Sequence, residues 1–127
     1  MLPLRFPRVW VTLAWLFVSL AIVACLLPGN AANVGFLNDK FMHSLGFFAL
    51  TTWFTGIYPR SRYFLIAVLL LVMGIGIELA QEAMQLGRRA ELRDVYADAG
   101  GIAAGVAIAL AAVGGWAMRL EQWLARR

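Results

Sequence analysis

The sequence predicts an all-α integral membrane protein, a bundle of four antiparallel transmembrane helices that forms one domain over residues 1–127. Hydrophobic residues make up 62% of the chain and charged residues only 14%, whereas about 25% is usual in soluble domains. A protein of 14.0 kDa cannot bury that much apolar surface from water, so most of its surface must contact lipid. This composition excludes a soluble enzyme.

Four charge-poor stretches define the predicted spans, because a helix needs about 20 mostly apolar residues to cross the hydrocarbon of a bilayer. The first ends before the turn signal at Pro28, the second before Pro59 and the third at Gly87. The connections are short, which makes consecutive helices antiparallel. The predicted spans are Val9–Leu27, Asp39–Tyr58, Arg62–Gln85 and Asp94–Ala117, and residues 119–127 form an interfacial cytoplasmic tail.

The basic residues predict the orientation of the bundle, because cytoplasmic loops carry an excess of Lys and Arg. They are scattered between apolar stretches and form no run, so we expect no nucleic-acid partner. The side that holds both termini carries more of them and is therefore assigned to the cytoplasm. That side carries Arg5, Arg8, Arg60, Arg62, Arg119, Arg126 and Arg127, and the opposite side carries Lys40, Arg88, Arg89 and Arg93.

The first span has an alternative interpretation as a secretory signal peptide. Arg5 and Arg8 precede an apolar region, and the residues before Cys25 resemble a lipoprotein cleavage site. Against this, the apolar stretch is longer than the core of a signal peptide, and cleavage would leave three helices to shelter the polar residues. As the only cysteine, Cys25 excludes a disulfide framework.

Polar side chains form one stripe on each of the last three predicted helices. Such stripes must face each other, because ionisable groups at membrane depth face a bundle interior or a water-filled cavity. We therefore expect one polar cavity that is open to the extracytoplasmic side. The stripes are Asp39 and His43, then Glu78, Gln81, Glu82 and Gln85, then Asp94, Asp98, Gly101 and Gly105.

The rise of 1.5 Å per residue separates this cavity into a mouth and a floor. It places His43, Glu78 and Asp98 about 6 Å deeper than Asp39, Glu82 and Asp94. Glu78 and Asp98 would repel each other if both were ionised, so they must share a proton, pair with a protonated His43, or bracket a cation. An alternative is structural: the acids at the helix starts complement the helix dipoles, and the two glycines allow close packing.

The order and spacing of these residues resemble the VanZ-like family of small membrane proteins over about residues 38–105. The resemblance implies a multi-pass protein of a bacterial cytoplasmic (inner) membrane, and it links the chain to low-level teicoplanin resistance. It implies no established reaction. One position departs from the family pattern, because Asp98 stands where the family has Asn. The matching residues are Asp39, Lys40, His43, Glu78, Gln81, Gly87, Arg88, Asp94, Gly101 and Gly105.

Three functions from different classes follow from the predicted cavity. The first is binding of an amphiphilic or anionic envelope ligand, such as an outer-leaflet lipid or a glycopeptide-like molecule, with arginines holding phosphate or carboxylate. The second is intramembrane acid and base catalysis by His43 with Glu78 or Asp98. The third is a structural or assembly role. The ligand-binding candidates are Asp39, Lys40, Gln81, Arg88, Arg89 and Asp94.

The sequence assigns no cofactor and no metal site. A single His and a single Cys disfavour zinc, whereas a hard cation such as Mg²⁺ or Ca²⁺ among the carboxylates is left open. The lipid bilayer is the one certain partner, and the oligomeric state is left open.

Overall fold

A computed structural model of the chain describes residues 1–27, 39–84 and 90–127, and these residues are mostly α-helical. A 3₁₀ turn at Arg60–Arg62 leads into the third helix, and a π-helical stretch at Ala109–Val113 continues the fourth. The α-helices are α1 (Pro7–Leu26), α2 (Asp39–Ile57), α3 (Tyr63–Met84), α4 (Leu92–Ile108) and α5 (Trp116–Ala125).

Three helical segments are long and apolar enough to cross a membrane. They are Pro7–Leu26, Arg60–Met84 and Leu92–Ala125, the last of which runs through α4, the π-helical stretch and α5. Large apolar side chains are exposed on them, as for Phe64, which is 83% exposed. Exposure of this kind is typical of a surface that contacts lipid. The predicted all-helical membrane protein is confirmed to this extent, with three such segments where the sequence predicts four.

Helix α2 is the predicted span that is missing from this set. It begins with Asp39 and Lys40 and carries His43 one turn later, which lowers its hydropathy. It nevertheless packs against all four other helices, most extensively against α4. The hydroxyls of Thr51 and Thr55 lie inside and donate to carbonyls four residues earlier, at 2.7 and 2.8 Å. Helix α2 is therefore the central helix, whose polar groups are covered by its neighbours.

Two glycines bring α4 into backbone contact with α2. A Cβ atom at Gly101 would lie 2.1 Å from the carbonyl oxygen of Ser44, and one at Gly105 would lie 2.7 Å from the Cβ of Thr51. Small residues spaced four apart allow this close approach between membrane helices. We call this contact the glycine seam. It fixes the distance and register at which α4 meets the central helix.

Tryptophans gather at the opposite end of α2. The rings of Trp10, Trp53 and Trp116 lie with their centroids 5.2 to 5.7 Å apart, and Trp116 stands against Gly56, where a Cβ would meet its indole. The indole N–H of Trp116 donates to the carbonyl of Thr52 at 3.0 Å. Tryptophan side chains are enriched at membrane–water interfaces.

The carboxylate of Glu121 on α5 holds the start of α1. It accepts hydrogen bonds from the backbone N–H groups of Arg5 and Phe6 and, at 2.7 Å, from the indole of Trp10. An acid at a helix N-terminus also complements the helix dipole. The predicted interfacial tail therefore includes part of an ordered helix that packs against the N-terminal segment.

The C-terminal end of the fourth predicted span differs from the prediction of one unbroken helix to Ala117. Helix α4 ends at Ile108, continues as a π-helical stretch and stops at a turn in which Gly115 has a φ of 72°. Only glycine adopts this left-handed conformation readily. Apolar composition continues through the turn, so hydropathy gave no sign of it, whereas the Gly114–Gly115 pair did.

Candidate functional site

Three helices bring four ionisable side chains into one buried cluster. His43 comes from α2, Glu78 from α3, and Asp94 and Asp98 from α4, and each is at most 4% exposed. Each lies on the polar stripe of its helix, and the packing of α4 against both α2 and α3 turns the three stripes toward each other. We call these four residues the ionisable cluster.

His43 and Asp98 form the deepest contact of this cluster. The Nδ1 atom of His43 lies 3.0 Å from Oδ1 of Asp98, and both side chains are buried. An ionised carboxylate can only accept a hydrogen bond. With Asp98 ionised, Nδ1 of His43 is therefore the ring nitrogen that carries the proton. The other oxygen of Asp98 lies 2.5 Å from the position that a Cβ of Gly74 would take. The absence of a side chain at Gly74 therefore makes room for Asp98.

Glu78 joins α3 to the start of α4. Its Oε2 accepts a hydrogen bond from the backbone N–H of Glu91 at 2.8 Å, which fixes the carboxylate. Its Oε1 is buried and has no hydrogen-bond partner among the described residues. A ring nitrogen of His43, a carboxylate oxygen of Glu78 and one of Asp94 all lie within 4.8 Å of one another. Glu78 therefore lies beside His43 and Asp94 with one buried oxygen that no described residue hydrogen-bonds.

Lys40 marks the polar side from which the cluster meets solvent. Its Nζ lies 2.8 Å from Oε2 of Glu91 and 3.3 Å from Oδ1 of Asp94. The side chains of Lys40 and Glu91 are 35% and 54% exposed, whereas that of Asp94 is buried. Lys40 thus connects the surface with the ionisable cluster, and we call Lys40 and Glu91 the entrance pair.

The remaining predicted site residues make no described contact with the ionisable cluster or the entrance pair. Gln81 is buried and donates from Nε2 to the carbonyl of Cys25 at 2.8 Å, which ties α3 to α1. Helix α2 begins at Asp39, whose side chain lies outside the described part of the structure. Arg88 and Arg89 also lie outside the described residues.

Two residues that the sequence analysis did not assign to the site contribute to it. Glu91 donates its backbone N–H to Glu78 and pairs with Lys40, and Gly74 accommodates Asp98. Gly74 precedes Glu78 by four residues and so extends the same helical stripe, which was a usable signal. The hydrogen bond from the backbone N–H of Glu91 depends on the position of the first turn of α4, and no residue pattern in the sequence predicts that position.

The described residues of the site carry an excess of negative charge. Four carboxylates, those of Glu78, Glu91, Asp94 and Asp98, meet one ammonium group on Lys40 and the imidazole of His43. Buried carboxylates are costly unless they are paired with a cation or protonated. The arrangement can therefore hold protons or a cation, and the oriented imidazole can exchange a proton with a bound molecule.

Neither protein-family models nor curated proteins nor solved structures match this chain. The VanZ-like resemblance accordingly remains a prediction that rests on the sequence motifs. The structure adds the contacts of the ionisable cluster to those motifs, and what the chain does has to be inferred from them.

Proposed function

We propose that this chain is a multi-pass protein of a bacterial cytoplasmic membrane, with four antiparallel spans and both termini in the cytoplasm. The three apolar helical segments support the membrane location. The central position of α2 supports a fourth span, because neighbouring helices and internal hydrogen bonds cover its polar groups. The excess of basic residues beside the termini supports the orientation.

Cysteine labelling tests this orientation. Ser61 and Ala90 are exposed, lie at opposite ends of α3 and can each carry a single cysteine in a Cys25→Ser background. We expect a membrane-impermeant maleimide, added to intact spheroplasts, to label Ala90→Cys but not Ser61→Cys. Permeabilised membranes provide the control, in which both must react. Labelling of Ser61→Cys alone in intact spheroplasts would reverse the proposed orientation.

For its function, we propose that the protein binds an amphiphilic envelope molecule with an anionic headgroup at the ionisable cluster. The observation that carries this proposal is Oε1 of Glu78, which is buried in a cluster built from three helices and has no hydrogen-bond partner among the described residues. A purely structural ion-pair network gains nothing from such an oxygen, because a buried polar group without a partner costs about 1–3 kcal/mol. A carboxylate oxygen accepts hydrogen bonds, so a ligand that offers a hydroxyl or ammonium group beside its anionic group would satisfy Oε1 while its anionic group contacts the basic residues.

The surroundings of the cluster suit an amphiphile. The entrance pair supplies Lys40 as a contact for an anionic headgroup, and the sequence supplies Arg88 and Arg89 just before Glu91. Apolar side chains near the same ends of the helices are exposed and can contact an acyl chain. Those side chains are Phe41 and Met42 on α2 and Ile75 and Leu79 on α3.

Lipid co-purification tests this function, with Glu82→Gln as the matched control for Glu78→Gln. Glu82, which the sequence places at the mouth of the cavity, lies one turn from Glu78 on α3 but is exposed. Its Oε2 accepts a hydrogen bond from the backbone N–H of Ala90 at 2.9 Å, and glutamine keeps such an acceptor oxygen. We expect mass spectrometry of the purified wild-type protein to show an anionic amphiphile enriched over the bulk membrane lipids. Glu78→Gln should lose at least ten-fold of this enrichment while Glu82→Gln retains it. Equal enrichment in both variants, both folded, would contradict the proposal.

The resemblance to VanZ-like proteins adds a cellular measurement to the same set of variants. If the bound molecule is a cell-wall precursor, expression of the wild-type chain should raise the teicoplanin concentration that inhibits growth. Expression of Glu78→Gln should not.

The contact between His43 and Asp98 favours acid and base catalysis as a second candidate function. A carboxylate that fixes the tautomer of a histidine is a common arrangement in proton-transfer sites. The two functions differ in what a His43→Gln variant does. If the protein is an enzyme, the variant keeps its bound molecule unconverted, and that substrate accumulates in the membrane. If it is a binding protein, the wild type and the variant hold the same unmodified molecule.

A further inference from the structure

The negative charge of the ionisable cluster points to a ligand other than the headgroup. Glu78 and Asp94 direct carboxylates at His43, and all three residues are buried. Among the described residues, the ammonium of Lys40 is the only fixed positive charge in contact with the cluster, and Glu91 competes for it. A divalent cation bound where these three side chains converge would offset the charge of the two carboxylates.

We propose that His43, Glu78 and Asp94 form a binding site for one divalent transition-metal cation. The independent observation is the Oε1 atom of Glu78, which belongs to a side chain that is 3% exposed and has no described hydrogen-bond partner. The proposal deepens the proposed function and rests on it only for the role of the ion, because ion binding is measured without any lipid.

The hydrogen bonds around these three residues suit metal ligands. His43 uses Nδ1 for Asp98, which designates Nε2 as the ligand atom, and a carboxylate that orients a ligating histidine in this way is typical of metal sites. Glu78 uses Oε2 for the backbone of Glu91, which leaves Oε1 as its ligand atom. His43 and Glu78 are therefore each oriented by a second hydrogen bond, and Asp94 has an ion pair with Lys40 at 3.3 Å.

The distances require only small movements of the side chains. One ring nitrogen of His43, one carboxylate oxygen of Glu78 and one of Asp94 lie within 4.8 Å of one another. In an occupied site with metal–ligand distances of about 2.0–2.2 Å, they would lie about 3.3–3.6 Å apart. Rotations of the side chains of Glu78 and Asp94 can close this difference without movement of the helices.

The donor set indicates which cation is bound. Imidazole nitrogen suits Zn²⁺ and other transition metals, whereas Mg²⁺ and Ca²⁺ prefer oxygen donors alone. Two carboxylates and one imidazole therefore favour Zn²⁺ or Mn²⁺ and leave positions for water or a headgroup oxygen. This differs from the sequence-based expectation, which disfavours zinc because it counts only His and Cys. A bound cation would also attract the phosphate or carboxylate of an anionic amphiphile.

Calorimetry on the full-length protein in detergent tests the site after treatment with EDTA, in a Cys25→Ser background. We expect Zn²⁺ or Mn²⁺ to bind with a stoichiometry of one and more tightly than Mg²⁺ or Ca²⁺. Glu78→Gln should weaken binding by about 100-fold or more, and Asp98→Asn, which alters the contact with His43, by about 10- to 100-fold. Glu82→Gln should bind like the wild type. Tryptophan fluorescence and gel filtration verify that each variant is folded.

Spectroscopy on the wild type covers the case in which a histidine variant does not fold. With Mn²⁺ bound, electron spin echo spectra should show coupling to one nitrogen nucleus. Three results would overturn the proposal: no binding of Zn²⁺ or Mn²⁺ to the wild type, equal binding to Glu78→Gln and Glu82→Gln, or no nitrogen coupling. If the amphiphile still co-purifies from buffers with EDTA, the proposed function stands and the role of the ion in it is wrong.

Discussion

Gly101→Ala should abolish the folded protein, whereas Gly100→Ala should leave it intact. The added methyl group at position 101 would lie 2.1 Å from the carbonyl oxygen of Ser44 and 3.0 Å from the backbone nitrogen of Phe48. Backbone atoms cannot rotate away, so α2 and α4 must separate along the glycine seam. Overpacking of this kind costs about 1–3 kcal/mol where side chains can yield, and more where they cannot.

Gly100 is the matched control for this substitution. It is the adjacent residue of the same helix, and a Cβ there meets nothing within 4 Å. Because alanine has the higher helix propensity, Gly100→Ala should be neutral or slightly stabilising. The measurement is the yield of monodisperse protein in mild detergent and its thermal unfolding. Equal stability of the two variants would mean that the glycine seam is not formed.

Asp98→Ala should be the most damaging single change within the ionisable cluster, whereas Asp98→Asn should be tolerated. Alanine leaves the Nδ1 of the buried His43 without its acceptor, and breaking a buried pair from one side costs about 3–5 kcal/mol. Asparagine keeps the size of the side chain and an oxygen that accepts the same hydrogen bond. It also removes one of the buried negative charges, and it is the residue that VanZ-like proteins are expected to carry there.

The measurement is unfolding in mixed detergent micelles, followed by tryptophan fluorescence, for the wild type and both variants. An Asp98→Asn protein that is as unstable as Asp98→Ala would show that the charge of Asp98, and not its acceptor oxygen, stabilises His43. In that case the imidazole is protonated in the folded protein.

The helices could be predicted from the sequence more completely than their contacts. The charge-poor stretches located α1, α2 and α3 to within two residues at each end. A stretch of about 20 apolar residues indicates a whole helix, and the charged or turn-forming residues that flank it mark its ends. The predicted end of the fourth span, at Ala117, was wrong. A π-helical stretch and the turn at Gly115 interrupt the helix there, and the sequence remains apolar through both.

For the candidate site, the helical stripes grouped His43, Glu78, Asp94 and Asp98 correctly, since their spacing determines a face. They could not predict which partner each side chain selects. His43 pairs with Asp98 rather than with Glu78 because of the register in which α4 packs against α2. The glycine seam sets that register.

The central position of α2 has a consequence for biogenesis. A helix that begins with Asp39 and Lys40 and carries His43 is poorly suited to partition into lipid alone as it leaves the translocon. Its most extensive cover comes from α4, which is synthesised about fifty residues later. With α2 as the proposed fourth span, its insertion should therefore follow the synthesis of α4, and until then α2 should stay at the translocon or at the membrane surface. A chain truncated after Met84 should leave α2 accessible to water and to quality-control proteases.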